Sequence, residues 1–307
     1  MGVHATALSK SYGELRVLDG LHLDVPPGTV HALLGPNGAG KTTAVRILAT
    51  LTTADSGTAR VAGHDITAER SAVRARISLT GQFAAVDDLQ TGAETLRMMG
   101  RLAGLGARAA RTRADELLDR FDLAPAAGRT AGEYSGGMRR RLDLAAGLVS
   151  RPTVLFLDEP TTGLDPRSRR DLWEVVRELR ADGTTVLLTT QYLEEADVLA
   201  DRVSVLDGGR IVAEGTVAAL KEQVADHRLD LTLVSRAAYE RLLARLPGDS
   251  HHRDPDRLVI GLATDGTAGH VRGLLDAVDP DGTAVARFAL RTATLDDVFL
   301  ALTGAPR

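Results

Sequence analysis

The sequence contains no cysteine among its 307 residues. Disulfide bonds, thiolate metal sites and thiol nucleophiles are therefore all excluded. The chain can carry out no thiol-based redox chemistry, and its composition suits a reducing cytosol.

Long apolar runs are also missing. A membrane-spanning helix needs about eighteen consecutive apolar residues, and the sequence has no such run. The N-terminus has no charged segment followed by an apolar one, which a secretory signal requires. We therefore expect any function at a membrane to depend on a separate partner protein.

The chain has no large excess of charge of either sign, since its formal net charge is −4. An arginine run such as Arg139-Arg140-Arg141 is typical of a solvated helix face. This charge pattern does not indicate a nucleic-acid partner.

The apolar fraction of 44% is sufficient for a hydrophobic core, and the length has room for one large domain and a small one. Short apolar strands separated by Gly/Pro turns occupy residues 1–82, and a helical pattern occupies about 83–150. Between 153 and 220 two buried strands flank a helix, the pattern of a strand that returns parallel to its sheet. We predict an α/β domain over residues 1–220, with a mixed, mostly parallel sheet and a helical subdomain.

A polar stretch at 221–228 separates this domain from residues 229–307. Strand and helix patterns alternate in this tail, and we predict a small C-terminal α/β domain of ferredoxin-like character. The patterns place strands at 229–234, 258–262 and 284–290, and helices at 237–246, 269–275 and 295–302. His251 and His252 fall in a Gly/Asp/Pro-rich stretch without a cysteine partner, which favours a solvated loop over a metal site.

A complete phosphate-binding loop, Gly35-Pro36-Asn37-Gly38-Ala39-Gly40-Lys41-Thr42, follows an apolar run and opens a helical pattern. Backbone N–H groups of such a loop cradle phosphate, Lys41 neutralises it, and Thr42 offers a hydroxyl to Mg²⁺. We predict that all eight residues and the adjacent Thr43 bind a nucleotide.

A second glycine motif, Tyr134-Ser135-Gly136-Gly137-Met138, stands farther along the chain. Ser-Gly-Gly at the start of a helix is another anion site, because the first N–H groups of a helix are unpaired. A chain with two phosphate sites needs a second copy of itself to close both over one nucleotide.

The two motifs together resemble the ATP-binding subunit of ABC transporters. Further family motifs appear in order over residues 1 to about 220. Tyr12 matches the aromatic residue that stacks on adenine, Gln82 the loop glutamine, and Gly163-Leu164-Asp165 the D-loop. Residues 154–160 match the Walker B strand, which ends in Asp158 and Glu159.

Several segments resemble one type within that family, the daunorubicin/doxorubicin-resistance ATPases of bacterial drug exporters. They are Gly81-Gln82-Phe83, the segment 135–145 that begins at Ser135, the segment 190–197 that contains Gln191, and the closing segment 294–299. Gln191 departs from the histidine that most ABC ATPases carry there. A glutamine can still donate an N–H to phosphate, but it cannot take up a proton.

The resemblance implies roles for these residues, with ATP and Mg²⁺ as ligands. Asp158 would support Mg²⁺ with Thr42, and Gln82 would contact the metal or the attacking water. Glu159 would be the catalytic carboxylate that polarises this water, and Gln191 would contact the γ-phosphate.

Ser135, Gly136 and Gly137 of one copy would close over ATP bound by the other, so the resemblance implies a homodimer. It also implies export of a hydrophobic drug through a separately encoded membrane permease, with the chain as a peripheral protein on the cytoplasmic face of the membrane. Two alternatives stay open: an importer ATPase with a C-terminal regulatory domain, and a soluble ABC ATPase that does not transport.

Overall fold

The computed structural model describes residues 2–81, 86–222, 227–246, 252–292 and 295. The chain divides into two units, Met1–Thr216 and Val217–Arg307. Each has a hydrophobic core of its own.

The first unit alternates strands and helices along the chain. Its strands are β1 (Val3–Tyr12), β2 (Leu15–Val25), β3 (Val30–Leu34), β4 (Ser56–Val61), β5 (His64–Asp65), β6 (Ile77–Thr80), β7 (Val154–Asp158), β8 (Thr185–Thr190), β9 (Arg202–Asp207) and β10 (Arg210–Gly215). Its helices are α1 (Lys41–Leu48), α2 (Arg70–Arg74), α3 (Gly92–Leu102), α4 (Ala107–Arg120), α5 (Gly136–Leu148), α6 (Pro166–Ala181) and α7 (Leu193–Leu199).

A six-stranded sheet in the order β10-β9-β3-β8-β7-β6 positions the candidate site residues. Every described pairing in it is parallel except that of β10 with β9. Strands β3, β7 and β8 are buried along their whole length, which explains the short apolar run at the centre or end of each. The register pairs Leu34 with Thr190 and Asp158 with Thr189, so these three strands end at one edge of the sheet.

A four-stranded antiparallel sheet in the order β2-β1-β4-β5 completes the strands of this unit. Tyr12 ends β1 and pairs with Leu15 across the β1–β2 turn. The adenine-binding candidate therefore lies at the tip of a hairpin.

The helical segment between β6 and β7 contains α3, α4 and α5. A reciprocal capping box of Thr91 and Glu94 starts α3, with the Thr91 hydroxyl accepting from the Glu94 backbone. Leu96 and Leu102 stand at helical spacing in α3, and Leu96 is buried whereas Leu102 is exposed. The predicted α/β class, with a mixed, mostly parallel sheet and a helical part, is confirmed.

The second unit contains α8 (Val217–Glu222), β11 (His227–Leu233), α9 (Arg236–Arg245), β12 (His252–Asp254), β13 (Val259–Thr264), α10 (Ala268–Val278) and β14 (Val285–Thr292). The sheet is antiparallel in the order β12-β13-β11-β14. From β11 onward the connectivity is β-α-β-β-α-β, which is that of ferredoxin-like domains. Alternate residues of β11 (Leu229, Leu231 and Leu233) are buried in its core.

The expected loop around His251 and His252 is wrong for His252, which begins the short strand β12 paired with β13. A strand of three residues is too short to show a periodic pattern. The helix predicted at 295–302 lies outside the described residues apart from Leu295, which is buried.

Candidate functional site

The phosphate-binding loop connects β3 to α1. Gly38 and Gly40 have φ values of 83° and 107°, in the region that favours glycine. A Cβ atom at Gly40 would lie 2.8 Å from the carbonyl oxygen of Val17, so a side chain there would collide with the backbone. Because α1 begins at Lys41, the unpaired N–H groups of its first turn lie directly after this loop.

Lys41 is buried, with only 4% of its surface exposed. Its Nζ donates to the carbonyl oxygens of Gly35 at 2.8 Å and Pro36 at 3.1 Å, and lies 3.6 Å from Glu159 Oε1. Burial lowers the pKa of Lys41, and the Glu159 carboxylate opposes that shift. The loop thus holds the Lys41 ammonium group beside the carboxylate of Glu159, the residue directly after β7.

Asp158, the last residue of β7, joins the end of that strand to α1 and to β8. Its Oδ1 accepts from Thr42 Oγ1 at 3.1 Å and from Thr189 Oγ1 at 2.6 Å. Asp158 is buried, and its neighbours are the first turn of α1 and the end of β8. A hydroxyl and a carboxylate oxygen therefore lie side by side, and these are ligand types that Mg²⁺ takes in nucleotide sites.

Glu159 has a φ of 49°, which is uncommon for a residue with a side chain. Its backbone N–H donates to both the carbonyl oxygen and the Oγ1 of Thr189, each at 3.1 Å. Its Oε2 accepts from Thr162 Oγ1 at 3.4 Å. These bonds hold the turn after β7 so that the carboxylate faces Lys41.

The end of β8 also contacts the beginning of the phosphate loop. Gly35 N–H donates to the carbonyl oxygen of Thr190 at 3.4 Å. Gln191 follows Thr190 directly, and the Thr190 hydroxyl accepts from the backbone N–H of Tyr192 at 2.9 Å. Gln191 therefore lies directly after β8, at the edge of the sheet where Asp158 ends β7 and the phosphate loop leads to Lys41.

Asp165 is the N-cap of α6. Its carboxylate accepts from the backbone N–H groups of Arg167 and Ser168, both at 3.0 Å, and from Ser168 Oγ at 2.6 Å. The hydrogen bonds with Ser168 lower the pKa of Asp165. This side chain fixes the start of α6 and with it the D-loop.

Ser135 is the N-cap of α5, and its Oγ accepts from the Met138 backbone at 3.3 Å. Gly136 and Gly137 form the first turn of that helix. A Cβ atom at Gly137 would lie 2.4 Å from Ser168 Oγ, so a glycine there lets α5 approach α6 closely. Within one chain the signature segment, by which we mean Ser135, Gly136 and Gly137, thus packs beside α6, the helix that follows the D-loop.

Tyr12 is half exposed, with 51% of its surface accessible. The ammonium group of Lys10 lies 5.5 Å from the centroid of its ring. An exposed aromatic ring at the tip of a hairpin is available for stacking.

Among the candidate residues, Lys41, Thr42, Asp158 and Glu159 are brought into one cluster. Gln82 lies outside the described residues. Thr189 is a site residue that no sequence argument identified. The available signal was its place in β8, where the parallel register sets it opposite Asp158.

The expectation of a solvated helix face at residues 139–141 is wrong for Arg140, which is 7% exposed. Its guanidinium donates to the carbonyl oxygens of Gly81 and Pro160. Two features of the sequence could have indicated this burial. Leu142 and Leu144 are apolar, and Asp143 stands three residues after Arg140, where its carboxylate can pair with the guanidinium.

The helices of the described part of the chain include none long and apolar enough to cross a membrane. Within the same residues no group of three or more His, Cys, Asp or Glu side chains is arranged to hold a metal. Asp158 and the Thr42 hydroxyl are described groups that could hold a cation together with the oxygens of a nucleotide.

Comparisons with known proteins agree with this geometry. The family model described as ABC transporter matches residues 18–162. The daunorubicin resistance ATP-binding protein DrrA3 of Streptomyces coeruleorubidus is 53% identical over 97% of this chain and 94% of its own length. The daunorubicin/doxorubicin resistance ATP-binding protein DrrA of Streptomyces peucetius is 52% identical over 99% of this chain and 93% of its own length.

Solved structures show the same fold. An ATP-binding subunit of an ABC transporter, 27% identical, aligns with a TM-score of 0.66 over 73% of this chain and 93% of its own. A dimeric ATP-binding cassette bound to ADP and Pi, 24% identical, aligns with a TM-score of 0.64 over 70% of this chain and 98% of its own. The predicted resemblance and ATPase activity are confirmed: the chain belongs to the ABC transporter family, as an ATP-binding subunit that hydrolyses ATP.

Proposed function

We propose that ATP hydrolysis by this chain powers the export of a hydrophobic drug through a separate membrane protein. The observation that carries the ATPase part is the cluster of Lys41, Thr42, Asp158 and Glu159 at one sheet edge. Support for drug export comes from the names of the relatives, which are daunorubicin and doxorubicin resistance proteins at 52–53% identity.

Lys41 and the N–H groups of the phosphate loop would bind the β- and γ-phosphates of ATP. The charge of the Lys41 ammonium, already desolvated and held by two carbonyl oxygens, offsets that of the phosphate oxygens. Gln191 would donate an amide N–H to the γ-phosphate from the end of β8.

Thr42 and Asp158 fit Mg²⁺, because their oxygens are 3.1 Å apart beside the loop. The ion would supply charge neutralisation at the phosphate oxygens. The family resemblance would add Gln82 to these two residues.

Glu159 would act as the general base. Its carboxylate accepts a proton from the water that attacks the γ-phosphate, and the turn held by Thr189 aims it. The Lys41 ammonium lies 3.6 Å from Glu159 Oε1, beside the loop that would hold the phosphates.

A homodimer would complete each site. The N-terminus of α5, with Ser135, Gly136 and Gly137, would close over ATP held by the phosphate loop of the other copy. Tyr12 would stack on adenine, and Asp165 would keep the D-loop in place at the shared site. Closure couples ATP to motion because nucleotide binds the closed dimer better than the open one.

The partner would be an integral membrane permease, with the chain bound peripherally at the cytoplasmic face of the membrane. The nucleotide-binding domain would span residues 1–220. The C-terminal domain, residues 229–307, follows all of the nucleotide motifs, and we assign it to assembly of the complex.

The test of ATPase function is the substitution Glu159→Gln, which keeps the shape of the side chain and removes its charge. Hydrolysis is expected to fall by roughly 10²- to 10⁴-fold while ATP still binds. Equilibrium binding and phosphate release measure the two effects. Glu174→Gln, an exposed ion-pair residue on α6, is the matched control. Equal loss of binding and hydrolysis would show that Glu159 is structural.

Export is tested in a drug-sensitive bacterium that expresses the chain together with its membrane permease. Resistance to daunorubicin should require both proteins and should disappear with Lys41→Ala. If cells expressing both proteins stay sensitive to daunorubicin while the purified chain hydrolyses ATP, the assignment of ATPase activity stands and the assignment of daunorubicin as the exported drug is wrong.

A further inference from the structure

Arg140 lies at the second turn of α5 and is almost completely buried. Its Nε donates to the carbonyl oxygen of Pro160 at 2.9 Å, and its Nη1 donates to that of Gly81 at 2.6 Å. Its Nη1 is also 3.3 Å from Asp143 Oδ2, on the next turn of the same helix. One guanidinium therefore joins α5 to two separate loops.

Each loop borders a residue of the proposed ATP site. Pro160 follows Glu159, and Gly81 precedes Gln82. The helix that carries Arg140 begins with Ser135, Gly136 and Gly137. Arg140 is thus a direct link between the signature segment and the chain around the proposed general base.

The link consists of hydrogen bonds donated by the buried, charged guanidinium of Arg140. Burying a guanidinium is costly unless it is paired, and Asp143 offsets only part of that cost. An apolar side chain would fill the space without this penalty. The planar fork of arginine, however, can bind two carbonyl oxygens in a fixed geometry, which an apolar residue cannot do.

We propose that Arg140 is a positioning residue that couples the two ATP sites of the dimer. The proposal rests on the proposed function. In that dimer the N-terminus of α5 contacts ATP held by the partner, whereas Glu159 and Gln82 act on ATP held by the chain itself. Because Arg140 ties α5 to Gly81 and Pro160, occupation of one site shifts the loops of the other.

The coupling is measured as the Hill coefficient of ATP hydrolysis, which for two coupled sites rises above 1 toward about 2. Arg140→Gln removes the charge and the fork, and Arg140→Lys keeps the charge but cannot bind both carbonyl oxygens. Arg139→Gln is the matched control, since Arg139 lies on the same helix and donates to Ala131 in the helical segment.

Both Arg140 variants should hydrolyse ATP with a Hill coefficient of about 1, whereas wild type and Arg139→Gln keep a higher value. The affinity of the Arg140 variants for ATP, measured by equilibrium binding, should change by less than about twofold. The reason is that the hydrogen bonds of Arg140 to Pro160, Gly81 and Asp143 do not involve the phosphate loop. If Arg140→Gln does not fold, Arg140→Lys alone decides.

Three results would overturn the coupling: cooperativity retained in Arg140→Lys, cooperativity lost equally in Arg139→Gln, or a wild-type Hill coefficient of 1. Each leaves the proposed function in place, since wild type would still hydrolyse ATP. Wild type without ATPase activity would instead refute the proposed function itself.

Discussion

Thr189 Oγ1 donates to Asp158 Oδ1 at 2.6 Å and accepts from the backbone N–H of Glu159 at 3.1 Å. One buried hydroxyl on β8 thus holds both Asp158, which ends β7, and Glu159, which follows it. The relationship arises because the parallel register sets Thr189 opposite Asp158.

Thr189→Val should therefore slow hydrolysis. Valine has nearly the same shape but lacks both hydrogen bonds, so we expect kcat to fall about tenfold and the free energy of unfolding by about 1–3 kcal/mol. ATP affinity should change little, because Lys41 and the loop keep their contacts.

Thr185→Val is the matched control, since Thr185 is buried on the same strand and its hydroxyl accepts from Gly28 N–H away from the site. It should lose stability without a comparable loss of kcat. Thr189→Ser should restore turnover. Equal kcat for the valine variants at 189 and 185 would contradict a role for Thr189 in the site.

Two inactive variants should complement each other. Lys41→Ala disables the phosphate loop, and Ser135→Arg blocks the signature segment. If the sites are shared as proposed, a heterodimer carries both lesions in one composite site and leaves the other intact, so mixing the proteins should restore partial ATPase activity. Heterodimers that form but stay inactive would argue against shared sites or show obligate coupling between them.

The role of Gln191 is tested by two substitutions. Gln191→Ala should lose most turnover, because the γ-phosphate loses an N–H donor. Gln191→His should retain much of it and gain a pH-dependent limb near the imidazole reference pKa of about 6.5. Steady-state rates from about pH 5.5 to 8.5 measure both effects. Wild-type activity in Gln191→Ala would show that this side chain has no role in ATP hydrolysis.

Protonation of His31 should make the folding stability depend on pH. It is fully buried on β3, its Nε2 lies 2.8 Å from Ser204 Oγ, and burial lowers its pKa from 6.5 to about 4. Between these values the unfolded chain binds a proton that the folded chain does not. The contribution of His31 to stability is therefore present at high pH and is lost as the pH falls from 6.5 toward about 4.

Lowering the pH from about 8 to about 5.5 should cost roughly 1.4 kcal/mol through this residue. Urea unfolding at the two pH values measures it. His31→Gln, which does not titrate, should lose less stability by that amount over the same interval. The same pH dependence in variant and wild type would exclude His31 as its source.

The sequence by itself determined the family, the α/β class and the residues of the phosphate loop and Walker B strand. These features are local: a glycine pattern sets the backbone of Gly38 and Gly40, and short apolar runs mark the buried strands β3, β7 and β8. Family motifs made Glu159 and Ser135 candidate site residues because each stands in a short, recognisable segment.

The tertiary structure alone decided which other residues support that chemistry. Thr189 became a site residue only through its register with Asp158, from 31 positions away. Arg140 is in an arginine run that indicates a solvated face, yet it is buried against Gly81 and Pro160. Sequence patterns report periodicity along one element, whereas these contacts depend on how separate elements pack, and that is settled by the whole fold.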